Sequence, residues 1–155
     1  MPKMKQYLHE LNHSNGMAAD DYTQEECNKH LIRRWLDNAN QRFVAAFEDY
    51  TALDFVGHAK GTTIDFNQLK QLELAFAEAF PDAYYTIEDL IAEKDKVVLR
   101  VTVRGTHLGL FHGIPPSQRK VAFTGIVIYK IKNAKIAECW DEIDFVGLWK
   151  QITQP

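Results

Sequence analysis

Apolar positions recur at steps of three and four in the first half of the chain and at steps of two in the second. Cys27, Leu31 and Trp35 form one row, and Ile32, Leu36, Ala39, Phe43, Phe47 and Tyr50 another. Together they predict a single wide-faced helix of about seven turns over 23–50. Its start is marked by Thr23-Gln24-Glu25-Glu26, the spacing of a capping box, in which the Thr23 hydroxyl and the Glu26 carboxylate each accept an otherwise unpaired N–H. Residues 54–58 read as a short extended segment, and Gly61-Thr62-Thr63 breaks the chain. A second helix is expected from an Asp65 N-cap to Pro81, burying Phe66, Leu69, Leu72, Phe76 and Phe80.

From Tyr84 the period is two. Tyr85, Ile87, Leu90 and Ile91 mark one strand, and Lys94-Asp95 a turn. Val97, Leu99, Val101 and Val103 then alternate with Arg100, Thr102 and Arg104, as in a half-buried antiparallel strand. After a loop over 108–116, residues 121–131 are apolar on both faces, so one face can meet the helices and the other a second subunit. Lys132-Asn133-Ala134-Lys135 turns into a last strand over 136–143, and a short helix is expected over 145–152. Two helices followed by antiparallel strands make an α+β plan, a curved sheet wrapped around a long helix with an apolar cavity between them.

Composition narrows the classes. The 155 residues are 46% apolar and 25% charged, the balance of one globular domain rather than a disordered or fibrous chain. A formal charge of −3 argues against a nucleic-acid partner. No apolar run approaches the roughly 20 residues of a membrane span. Two cysteines, Cys27 and Cys139, make no disulfide framework, and Met1-Pro2-Lys3-Met4-Lys5 leads into no signal-peptide core, so a cytoplasmic protein is expected. Residues 1–22 are polar and read as an arm, with the domain over 23–155.

That arm holds His9-Glu10-Leu11-Asn12-His13, the spacing of a zinc-binding helix. Eight residues precede it, Ser14-Asn15-Gly16 ends any helix at once, and no further histidine follows at metalloprotease spacing. A metal site is therefore not expected. His107 continues the apolar face of its strand toward the cavity mouth. Of the acids Glu138, Asp141, Glu142 and Asp144, alternation sets Asp141 apart with Ala137 and Cys139, against Trp140 and the other three. A plain two-residue loop at Asn133-Ala134 puts Val127 opposite Trp140. A three-residue or bulged connection puts Val127 on the face of Asp141, and periodicity alone leaves both open. Desolvation in an aromatic cavity would suit Asp141 to general acid–base work.

Phe80-Pro81-Asp82, Glu88-Asp89-Leu90, Gly105-Thr106-His107, Gly113-Ile114-Pro115-Pro116, Gly125-Ile126, Ile136-Ala137-Glu138-Cys139-Trp140-Asp141 and Phe145-Val146-Gly147-Leu148 together resemble the SnoaL-like polyketide cyclase (ester cyclase) family. That family lies within the nuclear-transport-factor-2-like superfamily. The resemblance covers residues 26–152. It implies a cone-shaped α+β barrel, usually dimeric or tetrameric, and intramolecular aldol chemistry with neither metal nor organic cofactor. The family's catalytic carboxylate falls on Asp141, which also favours the bulged register, with Ala134 where the family often has a turn glycine. The cyclases' pocket histidine falls on Val127, and their pocket asparagine near Gly57, beside His58. The expected site therefore comprises Asp141 as acid–base, His58 and His107 as polarising groups, and Trp35, Phe43, Phe47, Phe55, Val127 and Tyr129 as walls. The function expected is a cyclase- or isomerase-type acid–base enzyme acting, as a homodimer, on a small apolar carbonyl compound. The alternative is a non-catalytic small-molecule-binding module of the same fold.

Overall fold

The computed structural model describes residues 22–41, 47–59 and 61–154. Helix α1 (Gln24–Asn40) begins on the expected capping box, with the Glu26 N–H donating to Thr23 Oγ1 at 3.2 Å and the Thr23 N–H to Glu26 Oε2 at 3.1 Å. It stops far short of Tyr50. A separate single-turn helix, α2 (Phe47–Tyr50), follows. The reason is visible in two asparagines. Asn40, the last helical residue, clamps a strand backbone with its side chain, donating to Tyr85 O at 3.0 Å and accepting from Tyr85 N at 2.7 Å. Asn38 donates to the Tyr50 hydroxyl at 2.6 Å, so Tyr50 folds back against α1 instead of extending it.

The extended segment is longer than the 54–58 expected, running as β1 (Thr51–Ala59), and it is followed by a short β2 (Thr62–Asp65). Helix α3 (Phe66–Ala79) starts on Asp65, which accepts from the Gln68 N–H at 2.9 Å. Strands β3 (Tyr84–Glu93), β4 (Lys96–Thr106), β5 (Lys120–Lys132) and β6 (Lys135–Ile143) complete the sheet, and α4 (Phe145–Thr153) closes the described chain. Asp144 caps α4 by accepting from Gly147 N at 2.8 Å. The strand order is β2-β1-β6-β5-β4-β3, antiparallel throughout except for the β1–β6 pair. No helix among the described residues is long and apolar enough to cross a membrane.

One face of the sheet carries the core. Val97, Leu99, Val101 and Val103 of β4 and Val121, Phe123, Val127, Tyr129 and Ile131 of β5 are buried, against Leu31, Ile32 and Leu36 of α1. Helix α1 lies across β3 and β4 and is tied at its other end too: Asn28, itself buried, donates to Lys94 O at 3.0 Å, and Lys94 N donates to Glu25 at 3.0 Å. The connection between β5 and β6 resolves the register left open by periodicity. Asn133 and Ala134 form a two-residue turn with φ of 52° and 55°, the signature of a type I′ hairpin. Lys130 then pairs with Glu138 but Ile131 with Ile136, so Ala137 is a bulge. Val127 lies opposite Asp141, and both point inward.

The turn sets a test. Alanine pays a steric penalty at positive φ that glycine does not, so Ala134→Gly is expected to stabilise the fold by about 1 kcal/mol. The urea midpoint should rise with an unchanged slope, and a fall would contradict the turn conformation.

Candidate functional site

Alternation along β6 sorts its acids by direction. Glu138 faces outward, where its carboxylate meets His58 Nε2 at 2.8 Å and Lys130 Nζ at 3.7 Å. Glu142 is exposed, and Asp144 is occupied as the α4 cap. Asp141 shares the inner face with Cys139, Val127 and Tyr129. Four carboxylates adjacent in sequence thus have four different surroundings.

A cavity of about 290 Å³ opens between α1, α2, α3 and the inner end of β3. Trp35, Leu36, Ala39, Phe47, Phe76, Phe80 and Tyr85 supply its apolar walls, and among the described residues the one carboxylate in its lining is Glu73. Trp35 meets the Tyr129 ring edge-on at 5.5 Å, which joins this cavity to the inner face of β5 and β6. Burial pushes the Tyr129 hydroxyl far above the usual phenol range, and the charges of Cys139, Glu73, Tyr85 and Asp141 reinforce it. The Tyr85 hydroxyl is raised by burial and then by Glu73. Burial, followed by Asp141, pushes the Cys139 thiol up to about 12. Cys139 is therefore a neutral thiol near pH 7, not a nucleophile.

Glu73 is the residue that pattern reading missed. Phe66, Leu69, Glu73, Phe76 and Phe80 follow one another at steps of three and four, so Glu73 occupies the inward row. Leu72, expected inside, is 48% exposed. Choosing the apolar neighbour over the strict helical position hid the carboxylate. Glu73 makes no hydrogen bond or ion pair with any described residue, and desolvation alone pushes its pKa up to about 7.

The expected site residues separate into three groups. Asp141, Val127 and Tyr129 come together on the inner face, and Trp35 and Phe47 line the cavity. Phe55 is buried in the core outside that lining. Phe43 and the His9–His13 spacing lie outside the described residues. The two histidines depart from expectation. His58 pairs in register with Trp140, while Asp141 pairs with Ala59. Its imidazole stacks on the outward Trp140 at 5.1 Å and 6°, on the far side of the sheet from Asp141. His107 is fully buried away from the cavity, stacked on Phe80 at 5.3 Å. Its Nδ1 accepts from the Ser117 N–H at 3.2 Å, with the Ser117 hydroxyl at 3.0 Å, which leaves the hydrogen on an unpartnered Nε2. Desolvation lowers its pKa, with the Gly109 backbone opposing, so it stays neutral and pins the loop back onto β4. Gly109 belongs to the same anchorage: its N–H donates to Ala79 O at 3.1 Å, and a Cβ there would collide with the Glu78 carbonyl.

A wider recess of about 430 Å³ lies on the outer face, bordered by His58, Thr62, Thr63, Ile126, Ile128, Trp140, Asp141 and Glu142. It is larger than the inner cavity, but its apolar side chains are those of an open sheet surface. The groups that burial shifts, Glu73 and the phenols of Tyr85 and Tyr129, belong to the inner side.

Comparison with known proteins agrees with this geometry. The sequence matches the SnoaL-like polyketide cyclase profile over residues 29–152. AclR from Streptomyces galilaeus, described as a candidate hydroxylase, superposes with a TM-score of 0.78 at 24% identity, over 83% of this chain and 96% of its own. TsrD from Streptomyces laurentii gives 0.75 at 24% identity, over 86% and 100%. IdmH from Streptomyces antibioticus, described as a candidate polyketide cyclase, gives 0.70 at 25% identity, over 80% and 96%. Against proteins of curated function the sequence finds no match.

The raised Glu73 pKa carries a stability consequence. A carboxyl near 4.5 when unfolded and about 7 when folded favours the folded state below pH 4.5, an advantage lost as pH rises to about 7. The difference amounts to roughly 3 kcal/mol at most. Glu73→Gln is therefore expected to be more stable than the parent at pH 8, by up to about that amount, with the gap closing toward pH 4.5. Chemical denaturation at both pH values checks it, and a gap independent of pH would place the carboxylate in water.

Proposed function

Because the chain belongs to the SnoaL-like polyketide cyclase family, we propose that it is a cofactor-independent acid–base enzyme acting on a small, mostly apolar carbonyl compound. The observation that carries this reading is the register that sets Asp141 opposite Val127, on the strand face of Tyr129 and Cys139, with Tyr129 against the Trp35 wall of an apolar cavity. A carboxylate there can remove a proton α to a carbonyl. The C–H bond breaks, its electron pair delocalises onto the carbonyl oxygen as an enolate, and Asp141 holds the proton for return to carbon. The Tyr129 and Tyr85 hydroxyls, kept protonated by burial, are the available donors to that oxygen. His58 and His107 have no part in this reading, since neither borders the cavity.

A cavity near 290 Å³ falls at the small end of the usual range of about 300–1,000 Å³, which favours a ligand of one or two rings. One observation supports a second reading. Val127, opposite Asp141, can neither donate nor accept a proton, and a binding module would need no such group. Deuterium exchange at the α-carbon of 1-tetralone in D₂O, followed by NMR, separates the two. The parent protein is expected to accelerate exchange, and Asp141→Asn to lose at least roughly a hundredfold of that acceleration. Equal exchange by the two proteins, or none by the parent, leaves the binding module.

The outer face supports a homodimer. Ile91, Ile126 and Ile128 are 64%, 49% and 36% exposed on the same side of the sheet, next to Trp140 and His58. We place the chain in the cytoplasm as such a dimer, a state consistent with its two free cysteines. Sedimentation velocity at micromolar concentration should give twice the monomer mass, and Ile126→Lys should return the monomer. A parent protein that sediments as a monomer would contradict the assignment.

A further inference from the structure

Asp141 accounts for one end of the proposed chemistry, and nothing in the family resemblance accounts for Glu73. We propose that Glu73 is a substrate-binding group that enters the cavity from α3 as a neutral carboxylic acid and donates a hydrogen bond to the carbonyl oxygen of a small one- or two-ring ketone. The proposal rests on the reading of the cavity as a carbonyl site and adds the group that orients the ligand within it.

Four observations converge. Glu73 stands in the inward row of α3, between Leu69 and Phe76, where an apolar residue would be the ordinary choice. Among the described residues it is the one acid lining the cavity, amid Trp35, Phe47, Phe76, Phe80 and Tyr85. It is half-buried with no hydrogen-bond or ion-pair partner among the described residues, and desolvation by the cavity walls disfavours its charge. The Tyr85 and Tyr129 hydroxyls, both within reach of its charge, likewise make no hydrogen bond among the described residues. The partly closed apolar chamber holds two such polar heads, Glu73 and Tyr85, with Tyr129 in contact with its Trp35 wall, and a ligand atom there must suit all three. Two phenols and a protonated carboxyl all offer hydrogen. What they share as a partner is an acceptor with more than one lone pair, which a carbonyl oxygen provides.

The alternatives for Glu73 are weaker. Among the described residues no cation lines the cavity with it: β3 presents Tyr85, and α1 and α2 present Trp35 and Phe47, while Tyr129, Cys139 and Asp141 stand on the inner face beyond Trp35. A structural ion pair is therefore not its purpose. Desolvation places its titration at about 7, so the donor is present at neutral pH and withdrawn in mild alkali.

The test is calorimetric binding of 1-tetralone between pH 5.5 and 8.5, since this ketone accepts hydrogen bonds and donates none. For the parent protein, affinity is expected to fall about tenfold across pH 7 as Glu73 loses its proton. Glu73→Gln keeps a donor at every pH, so it should bind within about threefold of the parent's low-pH affinity and show no such fall. Glu73→Leu fills the site without donating and should bind about tenfold more weakly at all pH values. A Glu73→Gln protein that keeps the parent's pH slope overturns the proposal. So does a parent that shows no saturable binding. Asp141→Asn, run alongside, keeps the two readings apart. If the α-carbon exchange test fails while the Glu73-dependent slope persists, the acid–base reading falls and this one stands. If exchange depends on Asp141 while the slope ignores Glu73, the reverse holds.

Discussion

A single surplus residue on the last strand governs the direction of every side chain beyond it. Without the bulge at Ala137, the two-residue turn at Asn133 and Ala134 would bring Trp140 to the inner face and turn Asp141 toward solvent. Strand periodicity is two, so one inserted residue inverts the whole set. The inversion does three things at once. Asp141 and Cys139 enter the interior, Trp140 goes out to stack on His58, and Glu138 becomes free to hold His58 and Lys130. A tight turn and a bulge therefore act as a pair, the first joining the strands and the second correcting their phase.

How much of this was legible in the sequence depends on the kind of signal. The strands of the second half, the Asp65 cap, the Thr23 capping box and the α+β plan follow from local rules, because the groups involved are close in sequence. The end of α1 did not follow. The apolar row runs on to Tyr50, but Asn40 spends its side chain on a strand 45 residues away, and periodicity carries no record of such a bond. The register of β6 was reduced to two choices, and only the position of the bulge decides between them.

The site shows the same division. Asp141 is legible as part of a motif, and the ladder adds its pairing with Val127. His58 and His107 were chosen for their chemistry, and three-dimensional context set both aside, one by a sheet face and the other by a serine in the following loop. Glu73 was within reach. The 66, 69, 73, 76, 80 row satisfies helical geometry better than a row through Leu72, but an acid in an apolar stripe is easily passed over in favour of a leucine one position away. An acid in that row is itself informative, since burying one is costly and must be offset.

The two helical walls of the cavity are not held equally. Helix α1 buries Asn28, Leu31, Ile32 and Leu36 and is bonded to the sheet at both of its ends, through Lys94 and Tyr85. Helix α3 has Ala79 as its one fully buried residue, and its carbonyl tie to the following loop is at that same end. Local opening begins where buried contacts are fewest. The compliant wall of the chamber is therefore the N-terminal part of α3, and the carboxyl of Glu73 travels with it. Admission of a ligand and hydration of that acid become a single movement.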